Sequence, residues 1–284
     1  KVAIDACNGA GSIISPMLLR RLGCEVIEIN CTPNGIFPRS SEPNPKALKE
    51  LCQVTKSEGA HLGIAHDGDA DRLALVSDQG VPLSSEYTYA LIADFFVGQR
   101  KGDLVATVST SLMLNDIADK HSVELHRTPV GVGHVIEKME QVGATLGGEG
   151  TGGVIYPEIL HTADGITSIA AILQLLASSN RSMTDLVSLM PRYWMDKKKI
   201  DTPSQDVADA VLDLALTAFA NDDLDTTDGV KRVWDDKWVN IRKSGTEPVI
   251  RVFSEARSIQ EAKNLCQSTV ETLGRLEKCV TGYN

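Results

Sequence analysis

Three carboxylates alternate with small residues in Asp67-Gly68-Asp69-Ala70-Asp71-Arg72. Carboxylates at every second position of a tight loop can converge on one hard cation. Mg2+ takes oxygen ligands and keeps room for water or a phosphate oxygen. Unpaired, the same charges would repel one another, so a cation is the economical partner. A calcium-binding EF-hand would need Gly where Arg72 stands and Glu where Asp78 stands, which excludes it. A solvated acidic turn is the plainer alternative, but apolar runs at 62–65 and 73–77 predict strands that hold the loop rigid. A second loop, Gly147-Gly148-Glu149-Gly150-Thr151-Gly152-Gly153, holds five glycines in seven residues. Glycine lets a ligand approach the backbone, and Glu149 and Thr151 add an acceptor and a hydroxyl suited to paired sugar hydroxyls. Alone, such a turn could equally be a flexible hairpin. The third loop is Arg242-Lys243-Ser244-Gly245-Thr246-Glu247-Pro248, with Arg251 close behind. Two hydroxyls, the N–H groups around Gly245 and two arginines make an anion cradle, against the alternative of a surface turn with scattered basic residues. The spacing of a nucleotide P-loop is absent.

Other residues carry weaker signals. His134 opens a helix-like run after Val130-Gly131-Val132-Gly133, and a lone histidine is more often structural than catalytic. Gly9-Ala10-Gly11 follows a strand but lacks the third glycine of a dinucleotide fingerprint, since Ile14 holds that place. Ser109-Thr110-Ser111 has no evident base nearby and reads as a strand-end turn. Trp194, Trp234 and Trp238 read as core or domain-contact residues.

The elements that position these loops follow from hydrophobic period. Strands are predicted at 2–6, 24–30, 62–65 and 73–77, with helices at 13–22, 45–58 and 87–97, the last capped by Ser84. The loop at 32–45 holds four prolines. Strands at 104–108, 123–127, 144–146 and 154–156 alternate with helices at 112–120, 135–142 and 164–177. From about 196 the pattern changes: strands at 197–200, 227–233, 238–243 and 249–254 lie among helices at 206–220 and 259–277. The expected fold class is therefore two α/β domains with mixed sheets flanked by helices, at 1–100 and 101–195, followed by a smaller α+β domain at 196–284. The opening residues already read as a buried strand, which suggests that something precedes them. A net charge of -10 argues against a nucleic-acid or anionic-membrane surface. The six cysteines form no C-x-x-C pair and suggest a reduced, cytoplasmic protein. No window reaches the apolar length of a membrane span.

In this order, the three loops resemble those of the α-D-phosphohexomutase superfamily (phosphomannomutase, phosphoglucomutase and phosphoglucosamine mutase). Asp67–Arg72 is similar to the metal loop D-G-D-x-D-R, 148–153 to the sugar loop G-E-x-S-G, and 242–251 to the phosphate loop R-x-S-G-T-E-P-x-x-R. Thr151 stands where many members have Ser, and Ala163 lacks the Arg side chain often found before Asp164-Gly165. The resemblance implies Mg2+ on Asp67, Asp69 and Asp71, with Arg72 assisting the transferred phosphoryl group. It implies sugar contacts from Glu149 and Thr151, substrate contact from His134, and phosphate contacts from Arg242, Ser244, Gly245, Thr246 and Arg251. It also implies hexose phosphate and bisphosphate as partners. The family's first domain carries a phosphoserine in a T-x-S-H-N-P loop that these residues do not contain. The expectation is a mutase portion, inactive alone, with a magnesium phosphatase or a sugar-phosphate binding protein as alternatives. The metal loop and the anion cradle are expected to face one cavity.

Overall fold

Apolar runs of four or five residues, bounded by turns, give the first half of the chain its central strands. In the computed structural model, residues 1–245 and 247–282 are described. They fall into two units: Lys1–Thr110 with Leu114–Arg127 and Gly131–Met190, and the chain from Pro191 onward with Ser111–Met113 and Thr128–Val130.

The first unit contains two mixed four-stranded sheets. β1 (Val2–Asp5), β2 (Val26–Ile29), β3 (Leu62–His66) and β4 (Leu73–Val76) lie in the order β2-β1-β3-β4. β1 runs parallel to β2 and β3, and β4 closes the edge antiparallel to β3. Every residue of β1, β3 and β4 is buried, as expected of strands covered on both faces. Helices α1 (Gly11–Arg21) and α2 (Lys49–Ser57) belong to this layer. α3 (Glu86–Gln99) reaches the second sheet, where the buried Tyr89 hydroxyl donates to the carbonyls of Val105 (2.9 Å) and Leu146 (3.3 Å). That sheet has the order β6-β5-β7-β8, from β5 (Leu104–Thr107), β6 (Leu125–Thr128), β7 (Leu146–Gly148) and β8 (Val154–Ile155). α5 (Val132–Val142) packs on β5 and β7, α6 (Gly165–Ser179) on α3, α1 and β4, and α7 (Met183–Leu189) on α3, while α4 (Met113–His121) connects β5 to β6.

The second unit is built on an antiparallel sheet of order β10-β11-β12-β13-β9. Its strands are β9 (Trp194–Asp201), β10 (Leu224–Asp225), β11 (Val230–Val233), β12 (Trp238–Lys243) and β13 (Val249–Ala256). α8 (Gln205–Ala218) and α9 (Ile259–Thr281) supply Ala208, Val211, Cys266 and Leu273 to a core shared with Val239, Ile241 and Val252.

Several boundaries differ from the sequence expectation for local reasons. α2 starts at Lys49 rather than 45, because the Asn44 side chain first accepts from the N–H groups of Lys46 and Ala47 and makes a turn. Ser84 does not cap α3. Ser85 occupies that place, and its hydroxyl donates instead to the Gly150 carbonyl (2.5 Å). α7 was not expected at all; a reciprocal Ser182–Asp185 capping box starts it. Among the described residues no helix is long and apolar enough to cross a membrane. All six cysteines are free.

Candidate functional site

The metal loop connects β3 to β4, so its two ends are fixed by an antiparallel ladder that pairs His66 with Leu73. Asp67, Asp69 and Asp71 each offer an oxygen, and these oxygens lie within 4.8 Å of one another. Asp67 is buried, Asp69 exposed and Asp71 between the two. The loop converges because its carbonyls alternate with its carboxylates. The His66 carbonyl accepts from Arg39 (2.7 Å), that of Gly68 from the Ala10 N–H (2.9 Å), and that of Ala70 from the Gly165 N–H (3.0 Å). The Arg72 carbonyl accepts from the His66 ring (2.9 Å). Every second peptide is thus tied into the fold while the intervening aspartates turn toward one another. Ala70 adopts φ +63° to complete the turn, which a non-glycine residue does only when its surroundings dictate it.

The electrostatics fit a cation. Burial, reinforced by Asp71 and then Asp69, pushes the Asp67 carboxyl up to about 7. Arg72 offsets the charge only in part: its Nε lies 3.5 Å from Asp67 and 3.6 Å from Asp71. That Asp71 oxygen, Oδ1, is shielded from solvent and makes no hydrogen bond, the Arg72 Nε lying beyond hydrogen-bond distance. A crowded carboxylate set with an orphaned oxygen is what Mg2+ would complete. Burial lowers the proton affinity of His66, and a carbonyl can only accept. The ring is therefore neutral with its proton on Nδ1, and Nε2 accepts from the Ser15 hydroxyl at 2.9 Å. His66 links α1 to the end of the loop, a role that sequence reading missed.

The same reading set Gly9-Ala10-Gly11 aside, yet Gly9 has a defined task. A Cβ on Gly9 would sit 2.3 Å from the Gly68 carbonyl oxygen, so β1's turn approaches the metal loop backbone to backbone. Gly9→Ala is expected to cost about 1–3 kcal/mol by overpacking. Calorimetric melting of the metal-free protein checks this.

The glycine loop lies beside the metal loop in the same unit. The Leu73 N–H donates to the Gly152 carbonyl (3.1 Å), and a Cβ on Gly152, at φ +92°, would meet the Leu73 carbonyl oxygen at 2.6 Å. Gly150 is less constrained, since its Cβ would meet only the carboxylate end of the buried Glu86 side chain, which would have to shift. Glu149 is half-buried and accepts from the Gly131 N–H (3.0 Å) at the start of α5. His134 is exposed in the first turn of that helix, and Thr151 is exposed at the loop's tip. Glu149 and the first turn of α5 are therefore joined, a link that spacing could not reveal.

In the second unit, the anion loop joins β12 to β13. The two strands pair Arg242 directly with Arg251, so both guanidinium groups leave the same face of the sheet. Like charges directly opposite destabilise a sheet, and a bound anion would resolve the conflict. The half-buried Asp228 resolves part of it: its Oδ2 lies 3.5 Å from Arg242 and accepts from the Val130 N–H (3.0 Å). Ser244 is buried; its N–H donates to the Val249 carbonyl (2.9 Å), and its hydroxyl accepts from the Glu247 N–H (3.4 Å). Gly245 is exposed, with open space where a Cβ would stand. Thr246 lies outside the described residues.

Two other features carry none of this chemistry. Asp103, Glu124 and His126 cluster, but the carboxylates flank opposite ring nitrogens, at 3.0 Å from Nε2 and 3.5 Å from Nδ1. They hold the imidazole from both sides. A groove of about 880 Å³ near Lys1, Leu22, His61, Leu173 and Arg181 contains none of the loop residues.

Comparison with known proteins places this geometry. The model for phosphoglucomutase/phosphomannomutase alpha/beta/alpha domain II matches residues 1–80, that for domain III residues 84–193, and that for the C-terminal domain residues 194–272. The chain belongs to the phosphoglucomutase/phosphomannomutase superfamily. A phosphoglucomutase/phosphomannomutase of Thermococcus kodakarensis is 38% identical over 274 residues, covering 96% of this chain and 60% of that protein. A protein described as a probable phosphoglucosamine mutase of Methanopyrus kandleri is 35% identical, covering 97% and 62%. The crystal structure of a phosphoglucomutase/phosphomannomutase family protein from Burkholderia thailandensis has the same fold, with a TM-score of 0.84 at 24% identity over 98% of this chain and 60% of that one. The chain thus spans about three fifths of the length of these relatives.

Proposed function

We propose that this chain forms the metal, sugar and phosphate sites of a phosphohexomutase. Such an isomerase moves a phosphoryl group between the C1 and C6 oxygens of a hexose phosphate, through a phosphoserine and a hexose bisphosphate. The observation that carries the reading is the convergence of Asp67, Asp69 and Asp71, with the orphaned oxygen of Asp71 among them. Bound there, Mg2+ would neutralise charge on the transferring phosphoryl oxygens. Arg72, already beside two of the carboxylates, orients the same group. Glu149 accepts from sugar hydroxyls and Thr151 adds a hydroxyl, a set that can serve the ring in either orientation; His134 adds a contact from α5. Arg242, Ser244, Gly245, Thr246 and Arg251 grip the phosphate that does not react. Remote binding of this kind holds the substrate in register while the other end is transferred.

On this reading, residues 1–100 carry the metal loop, 101–195 the sugar loop and 196–284 the phosphate loop, in a cytoplasmic enzyme of mannose, glucose or glucosamine phosphates. These 284 residues contain no T-x-S-H-N-P loop, so the phosphoserine comes from polypeptide outside them. The purified chain is expected to show negligible turnover of the three hexose 1-phosphates. Supplying a phosphoserine domain with Mg2+ and a trace of bisphosphate is expected to restore 6-phosphate formation, and a chelator to abolish it. Robust turnover by the chain alone would overturn the proposal. Release of inorganic phosphate with no bisphosphate intermediate would make it a phosphatase. Tight binding without turnover, even with the domain supplied, would make it a binding protein.

A further inference from the structure

Arg39 lies in the proline-rich loop at 32–45, yet its side chain is only 8% exposed. Its Nε donates to the Asp5 carboxylate at 2.9 Å, and Asp5 is 1% exposed. Its Nη2 donates to the His66 carbonyl at 2.7 Å, and its Nη1 to the carbonyl of Ser40 at 2.9 Å. Asp5 also accepts from the Cys7 N–H (2.8 Å) and the Asn30 amide (3.2 Å). A buried ion pair is weak evidence of a stability device, because apolar residues of similar volume often serve as well. What apolar residues lack is a set of directed donors. One of these donors is spent on the carbonyl of His66, the peptide that leads into Asp67.

The surrounding loop reinforces that aim. Asn8, at φ +52°, accepts from the Thr32 N–H (3.0 Å) and donates to the Ile36 carbonyl (3.0 Å). Phe37 lies against Gly68, where a Cβ would come within 2.8 Å of its ring. The loop therefore rests on the metal loop at two points: a charged anchor before Asp67 and an aromatic ring over Gly68.

We propose that Arg39, neutralised by Asp5, is a positioning residue of the metal loop: it fixes the peptide from which Asp67 projects and so sets the loop's affinity for a divalent cation. The inference rests on the metal-site reading given above. Removing Arg39 alone would leave Asp5 buried and unpaired, so the informative variants are Arg39→Lys and the charge-neutral double variant Asp5→Asn/Arg39→Gln. Lysine keeps the charge but loses the planar fork that reaches both Asp5 and His66.

Mn2+ is the probe, titrated calorimetrically and by electron paramagnetic resonance into the full 284-residue chain below its melting temperature. The double variant is expected to bind Mn2+ about 10–100-fold more weakly than wild type, the range for lost outer-shell support, and Arg39→Lys to fall between. Leu104→Ala, a core truncation in the other sheet of the same unit, lowers the melting temperature without weakening Mn2+ binding. If the double variant does not fold, Arg39→Lys decides. Wild-type protein that takes up no Mn2+ would overturn the metal site and this inference with it. Wild-type affinity in a folded Arg39 variant overturns this inference alone, as does equal weakening in Leu104→Ala.

Discussion

Asp67→Asn is expected to make the metal-free protein more stable at pH 8 while destroying its affinity for Mg2+. In the folded chain the Asp67 carboxyl is pushed up to about 7 from an ordinary 3.8, by burial first and by its aspartate neighbours second. Between those two values the folded state holds a proton that the unfolded state has released. The free energy of unfolding therefore falls as pH rises from about 4 to about 7. At about 1.4 kcal/mol per tenfold change in proton affinity, the ionised carboxylate weakens the metal-free fold by on the order of 2–4 kcal/mol. An amide carries no such charge. Urea unfolding with a chelator present should show a steep loss of stability across this window in wild type and a much flatter profile in Asp67→Asn. Magnesium should restore the wild-type loss at pH 8 and leave the variant unchanged, with affinity down by about 100-fold or more, beyond the 10–100-fold that outer-shell partners cost. An equally steep profile in the variant would show that the aspartate is not the source.

Arg251→Met reverses the sign of the same argument. Arg251 faces Arg242 across the β12–β13 ladder, and among the described residues no carboxylate lies within ion-pair distance of it. Removing one of two opposed positive charges should stabilise the ligand-free sheet by about 0.2–1 kcal/mol. It should also weaken binding of inorganic phosphate or a hexose phosphate by about 10–100-fold, since a charge-assisted contact worth about 1.5–3 kcal/mol is lost. Thermal melting with and without phosphate measures both effects. A variant whose melting temperature rises with phosphate as much as wild type would remove Arg251 from the pocket. In both loops, then, the fold sets like charges near one another where a ligand of opposite charge would relieve them.

How much of this was legible depended on whether the signal was local. β1, β3 and β4 announced themselves as unbroken apolar runs, and Asp67, Asp69 and Asp71 by spacing within a single turn. The opposed arginines could be suspected, but their register could not, because it depends on how β12 and β13 pair. The anchors of the metal loop were not legible. They come from residues distant in sequence: Arg39, Ala10 and Gly165 meet the alternate carbonyls of His66, Gly68 and Ala70 only after β1, β3 and α6 have assembled. Asp228 was missed for the same reason, since an acidic residue before Gly229 in a turn looks like any surface turn. Ser84 shows the converse error: it was expected to cap α3, but Ser85 holds that place and spends its hydroxyl on Gly150.

β9 is an edge strand of the C-terminal sheet, beside β13, and its composition matters for behaviour at high concentration. β9 reads Trp-Met-Asp-Lys-Lys-Lys-Ile-Asp, with Lys197 and Lys199 exposed and the Lys197 ammonium 5.1 Å from the Phe253 ring centre. An unpaired ladder of main-chain donors and acceptors is a template for fibril growth, and a row of like charges repels an incoming copy of itself. The lysines thus act as a colloidal guard at the edge beside β13, the strand into which the anion loop leads.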